Sequence, residues 1–493
     1  MFEDMTSQIT SQLTSQPYNY LVPGLLVLAT TPLLLRLKPS SSHSQDNMSA
    51  STGPDHTVVV IGAGYAGVPM AHHLAKHTPA NVVNLRVILV APNDEFFWNV
   101  ASPRGFVPLD PSAPANPKGT PGYGDDKLFY PLAPSFSKYN TGSVKKFEQI
   151  VGRASSLDPD RQTIEVSLNA GGVQTISYDT AIIATGSNIT DGTPFKIVPN
   201  GGAAETKAAL AEYRARVRTA KHIVVAGGGM TGVEVVGELA TVYGSDASKD
   251  KRKEIIFVIN ESAPLGVYGA KDSVRNVAAD RLKSLGVKII TNTKVAVSKP
   301  AAGEGSQTVL SLTSKDGKTS SLTTDVFIPA FGASFNTQYL PAKLLDTSEK
   351  NKGRVLTRST LQVEGYDNLF VAGDASNLQF PSLKNANDQI TVLAPTMQTY
   401  LKNWAASHPA GAKTNGNGNG ASAPAAGAAA LKEYNGGHTT ILAVSTGPAG
   451  GTGQVGSFKM FSLMVWMFKA RFLGTDKAAD YANGKRIMMD SNW

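Results

Sequence analysis

Two glycine-rich turns of one kind, about a domain's length apart, constrain this chain more than any other feature. The first reads VVVIGAGYAG, with Gly62, Gly64 and Gly67 directly after the apolar run 58–61. The second reads HIVVAGGGMTG, with Gly227, Gly229 and Gly232 after the apolar run 223–226. Each is a short apolar strand, then G-x-G-x-x-G, then a helical pattern. Glycines at these places allow a tight turn and let backbone amides at the helix N-terminus approach a pyrophosphate. One such match arises easily by chance. Two, each between strand and helix, imply two dinucleotides on one protein.

Composition narrows the chemistry further. The 493 residues suffice for two or three domains, each with its own core. There is no cysteine. That excludes a disulfide framework, a cysteine-ligated iron–sulfur cluster and a C-x-x-C redox pair. The eight histidines show no metal-binding spacing, and His72 and His73 are adjacent, so they cannot share a helix face. No metal is expected. The formal net charge of +8 suits anionic cofactors or an anionic membrane surface. No basic run interleaved with aromatics points to nucleic acid.

The chain divides by pattern. Residues 1–52 form an N-terminal tail or a marginal membrane anchor. The run 21–35 is apolar but holds Pro23 and Pro32, is shorter than a spanning helix needs, and is followed by Arg36 and Lys38. Met48 is an alternative start for a compact protein. Residues 53–199 read as a first dinucleotide-binding domain, 200–322 as a second, and 323–405 as a return to the first through TDVFIPAFGAS and NLFVAGDASN. The stretch 108–124 reads as a surface loop, and 406–432 as a low-complexity insertion rich in Gly, Asn, Ala and Pro. The remainder, 433–493, is a small C-terminal segment. Within it 458–472, FKMFSLMVWMFKARF, is apolar nearly all round, and reads either as a buried helix or as one lying in a membrane interface. The expected fold is α/β, two Rossmann-like domains with the second inserted into the first.

GAGYAGVPMAHHL, YDTAIIATGS, GGGMTGVEVVGEL and NLFVAGDAS follow one another in an order and spacing that resembles the two-dinucleotide FAD/NAD(P)H oxidoreductases. FFWNVASPRGFVP makes the chain similar to the fungal apoptosis-inducing-factor-like members, relatives of ferroptosis suppressor protein and of type II NADH:quinone dehydrogenases. The resemblance implies FAD on the first turn and NADH or NADPH on the second. By it, Gly62, Gly64 and Gly67 hold the FAD pyrophosphate, Thr185 and Gly186 form a second turn near the flavin, and Asp374 bonds the ribityl or pyrophosphate region. Gly227, Gly229 and Gly232 take the nicotinamide dinucleotide, and Glu234 lies near the contact of the two rings. Asn99 and Arg104 are placed near the isoalloxazine, with Arg104 offsetting charge on reduced flavin. Gln398 falls on the helix whose N-terminus faces the flavin pyrimidine. Bland readings stand beside these: Asp374 as a helix cap, Glu234 as a first-turn carboxylate favoured by the helix dipole, Arg104 as a partner of a surface carboxylate.

Two departures matter. An acid normally closes each strand–helix–strand unit on the adenosine ribose. In the first unit Ala91 stands there, with Asp94 and Glu95 later, so FAD is expected to rest mainly on phosphate contacts. In the second, Asn260 stands there, and dual use of NADH and NADPH, or a lean to NADPH, is expected. With no cysteine relay, electrons must leave the flavin directly, and a quinone or other small acceptor is the expected partner. A redox-sensing interaction protein is the alternative. Peripheral membrane contact through 21–35 or 458–472 is expected, in the cytoplasm or at mitochondria.

Overall fold

The computed structural model describes residues 53–109, 122–189, 191–299, 307–409, 427–436, 439–488 and 490–493. The run 21–35, most of the 108–124 loop and most of the low-complexity insertion lie outside the described residues.

The chain enters through β1 (Asp55–Ile61), and the first glycine turn leads into α1 (Gly67–His77). The strands β2 (Asn84–Ala91), β3 (Phe147–Asp158), β4 (Thr163–Leu168), β5 (Val173–Ser177) and β6 (Thr180–Ile183) follow. The helix α2 (Ala203–Thr219) then carries the chain to β7 (His222–Ala226), α3 (Met230–Tyr243), β8 (Glu254–Val258), α4 (Asp272–Ser284), β9 (Lys288–Ile290) and β10 (Val326–Pro329). It returns at β11 (Leu369–Val371) and continues as α5 (Leu383–Ser407).

Two parallel cores result. The first sheet has the order β11-β6-β1-β2-β3-β4-β5, parallel from β11 to β3, with β4 and β5 added antiparallel. The second has the order β9-β8-β7-β10, all parallel. Parallel strands are covered on both faces and so read as unbroken apolar runs. Val58, Val59 and Val60 in β1 and Ile223, Val224 and Val225 in β7 are fully buried. Each such side chain contributes about 1.5–3 kcal/mol. Because β11 pairs with β6 from the far side of the second sheet, that sheet is inserted in the first domain. The fold is the expected α/β architecture.

The glycine turns are alike in detail. Gly62 has φ 113° and Gly227 has φ 117°, a region that favours glycine. A Cβ on Gly67 would lie 1.7 Å from the Gly62 carbonyl oxygen, and one on Gly232 would lie 1.9 Å from that of Gly227. Only glycine lets α1 and α3 pack this close to their strands.

The C-terminal segment forms an antiparallel sheet of β12 (Ile441–Ser445), β13 (Gly451–Val455) and β14 (Phe458–Met460). It packs on α3 and α4. The single helix read over 458–472 is not what forms. β14 comes first, then α6 (Ser462–Val465), then a π-helical turn at Trp466–Ala470. Phe458–Met460 pairs with β13, and that edge pairing outweighs the apolar helical pattern.

Candidate functional site

The C-terminal ends of both parallel sheets open into one cavity of about 2200 Å³. Gly62 and Gly64 line it from the first turn and Gly227, Gly228 and Gly229 from the second. Ligands of open α/β sheets bind at this edge. A Cβ on Gly64 would meet no atom within 4 Å, so the first turn presents open backbone to the cavity. That cradle at the start of α1, with its free amides, fits a diphosphate. Gly67 and Gly232 do not line the cavity; they set the helix–strand approach.

Thr185, Gly186 and Asn99 border the same space. Asp374 does too, on the loop after β11. Its carboxylate accepts from the Ser187 hydroxyl at 2.6 Å and from the Lys196 ammonium at 3.0 Å. Burial alone would raise its pKa, but Lys196, these hydrogen bonds and Arg354 hold it below the ordinary carboxylate value. It is therefore ionised, and not a simple helix cap. Lys196 gave no signal in the sequence, because it sits in an irregular stretch and meets Asp374 only through the fold. The first turn of α5 also reaches the cavity, with Ser382 capping it and accepting from the Asn385 amide at 3.1 Å.

Gln398 lies elsewhere. It is four turns along α5 from the cavity end and donates to the Thr78 hydroxyl at 3.2 Å. The helix is the expected one, but the residue that supports this site is Gln389, whose side-chain oxygen accepts from the Gly373 amide at 2.7 Å.

Arg104 also departs from expectation. It is fully buried and does not border the cavity. Its guanidinium makes a two-pronged pair with Glu238, both contacts 2.8 Å. It also donates to the Tyr123 hydroxyl and to the carbonyls of Ala470 and Arg471. Burial pushes the Glu238 carboxyl up, and Arg104 opposes that shift. Arg104 is a clamp between three segments, not a flavin contact.

Glu234 does line the cavity. It accepts from the Ser445 amide at 3.1 Å and pairs with Lys469 at 2.6 Å. Lys469 lines the cavity as well and donates to the Ala443 carbonyl at 3.0 Å. In the sequence it was only one charge in an apolar run.

At the ribose positions the first unit offers Asn93, which lines the cavity and donates to the Glu95 carbonyl at 2.7 Å. Asp94 and Glu95 do not line it, and Glu95 pairs with Lys207. In the second unit both Asn260 and Glu261 border the cavity, and a Cβ on Gly228 would stand 2.9 Å from a Glu261 carboxylate oxygen. An acid is present at the second turn after all, one residue past the expected place. Among the described residues no group of acids or histidines is placed to hold a metal ion.

The sequence pattern of the family described as pyridine nucleotide-disulphide oxidoreductase matches residues 56–398. The oxidoreductase ptaL of Pestalotiopsis fici is 31% identical over 409 residues, covering 83% of this chain and 94% of that protein. Ferroptosis suppressor protein 1 of Taeniopygia guttata is 26% identical over 424 residues, covering 85% and 94%. Among solved structures, the sulfide:quinone oxidoreductase of Aquifex aeolicus aligns with a TM-score of 0.60 at 17% identity, covering 87% of this chain and 92% of that one, a likeness of fold.

Proposed function

Because this chain belongs to the pyridine nucleotide-disulphide oxidoreductase family yet contains no cysteine, we propose that it is an NAD(P)H oxidoreductase whose flavin passes electrons directly to a quinone-like acceptor. As a member of that family it binds FAD and NADH or NADPH. The observation that carries the reading is the single cavity shared by both glycine turns, with no sulfur nucleophile anywhere in the chain. FAD, when bound, would supply the two-electron redox chemistry between reduced nicotinamide and the acceptor.

The chain's own residues position and insulate. Gly62, Gly64 and the start of α1 would hold the FAD diphosphate, with Thr185, Gly186 and Asp374 along the rest of the flavin. Gly227–Gly229 and the start of α3 would hold the nicotinamide dinucleotide. Glu261 beside Gly228 favours a ribose hydroxyl over a 2′-phosphate, which supports NADH over the NADPH lean that Asn260 suggested. Lys469, held against Glu234, places an ammonium on the acceptor side, where it offsets negative charge built up on a quinone oxygen. Exposed Phe331, Phe380 and Ile441 give the cavity an apolar rim that suits a planar, apolar acceptor.

The reading extends to a peripheral membrane contact. Phe461, Leu463, Met467, Phe468 and Phe472 are exposed together beside Lys459 and Arg471. Apolar side chains interleaved with bases are what an anionic interface retains. Among the described residues no helix is long and apolar enough to cross a membrane.

The test is to purify the protein, record a flavin spectrum, and measure turnover of NADH and NADPH with short- and long-tailed quinones. Rapid quinone reduction by a yellow protein supports the proposal. A long-lived reduced complex with very slow turnover on every quinone would replace it with a redox sensor.

A further inference from the structure

The two glycine turns share their strained backbone and their tight helix approach, yet they differ at one point. Gly64 and Gly229 hold equivalent places in the two G-x-G patterns. Beside Gly64 the space is open to 4 Å. Beside Gly229 it is not: a Cβ there would stand 3.1 Å from the Tyr268 hydroxyl oxygen. The same oxygen accepts from the Met230 amide at 3.4 Å. Met230 is the first residue of α3, so this amide is one of the helix's unpaired N-terminal donors. Tyr268 therefore stands where an anion would meet the helix, in one turn and not in the other.

The way Tyr268 is mounted suits movement. It ends a single 3-10 turn, Gly266–Tyr268, bracketed by Leu265 at φ 64° and Gly269 at φ 62°. Such a short turn between two left-handed residues can re-aim a side chain through a few backbone torsions. The contact to Met230 is long for a hydrogen bond and is easily given up. The ring's other neighbour is Phe380, edge-on with centroids 5.4 Å apart. Phe380 is 53% exposed and precedes α5, which belongs to the first domain. Tyr268 thus joins the two halves of the cavity as well as covering the second turn.

We propose that Tyr268 gates the nicotinamide half of the cavity: its hydroxyl holds the diphosphate place on α3 when no dinucleotide is there, and the ring leaves α3 and Phe380 when one enters. The gate rests on the reading of the second turn as the nicotinamide-dinucleotide site. It makes Tyr268 a positioning residue whose hydroxyl opposes binding. A hydroxyl that bonded the ligand would do the reverse, so the sign of one substitution separates the two.

The experiment uses the full chain with FAD bound and NAD+ as the probe, so that no turnover intervenes. Calorimetry gives Kd and stopped-flow flavin absorbance gives the association rate for wild type, Tyr268→Phe and Tyr268→Ala. Tyr268→Phe keeps the ring and removes the competing oxygen. It is expected to bind NAD+ about three- to tenfold tighter, the worth of one modest hydrogen bond. Tyr268→Ala is expected to associate faster still, with flavin content unchanged in both. Equal or weaker binding by Tyr268→Phe at normal flavin content would overturn the gate and leave the second turn's assignment standing. Failure of the flavin-loaded wild type to bind NAD+ at all would overturn the assignment and the gate together.

Discussion

Replacing Arg104 with Met separates a clamp from a flavin contact. The Arg104 and Glu238 side chains are 0% and 1% exposed. The guanidinium gives two hydrogen bonds to Glu238, one to Tyr123 and one each to the Ala470 and Arg471 carbonyls. Met fills much of the volume but leaves a carboxylate and two carbonyls buried without donors. Breaking one side of a buried pair costs about 3–5 kcal/mol. With about 2.1 cal/mol/K of unfolding entropy per residue over the roughly 400 described residues, that is a fall in Tm of about 4–6 °C. Differential scanning calorimetry reads it directly. The double variant Arg104→Met, Glu238→Met removes both charges and is expected to recover most of the loss, because the desolvation of the pair disappears with it. The flavin's midpoint potential should be the same in wild type and both variants. Unchanged Tm with a shifted potential in Arg104→Met would refute the clamp and return Arg104 to the isoalloxazine.

Other expectations follow from the same geometry. Asp374→Ala removes a partly buried, ionised acceptor on the loop after β11 and should weaken FAD retention by about 1.5–3 kcal/mol, about 10- to 150-fold, read by flavin release on dialysis; full retention would exclude a flavin bond from Asp374. Glu261→Gln should raise the NADPH-to-NADH ratio of kcat/KM, whereas an unchanged ratio would mean the carboxylate does not face the ribose. Changing Phe461, Met467 and Phe472 to Ser should abolish flotation with anionic vesicles and spare reduction of a soluble quinone; wild type that never floats would end the membrane reading. His56 and His72 are buried, and burial lowers each to a pKa of about 3 from 6.5. The unfolded chain takes up protons below pH 6.5 that the folded chain refuses, so stability falls as pH falls. The two together lose about 3 kcal/mol between pH 7.5 and 5.5, visible as an earlier denaturant midpoint.

What the sequence made legible was local chemistry. The glycine turns declare themselves because a positive φ and a 1.7 Å or 1.9 Å clash leave no other residue possible at Gly62, Gly67, Gly227 and Gly232. The unbroken apolar strands announce parallel sheets for the same reason. What stayed hidden depends on partners distant in the chain. Arg104 meets Glu238 134 positions away, and Lys196 meets Asp374 178 positions away. Glu261 was missed by one residue, since the end of β8 cannot be fixed that finely from an apolar run. The stretch 458–472 misled because apolar character alone does not separate an edge strand and a short helix from one longer helix.

The inserted second domain also sets a timetable for synthesis. The β6 edge, Ala181 to Ile183, takes its partner only from Leu369 to Val371. About 190 residues must emerge in between, which at 5–20 residues per second is about 10–40 s of translation. During that interval β6, buried in the finished sheet and apolar apart from Thr180, has an unpaired edge. The C-terminal segment extends the wait, because Trp98 donates to the Leu473 carbonyl and the Trp493 indole to that of Pro69. The first sheet is therefore completed only after both glycine turns have been made.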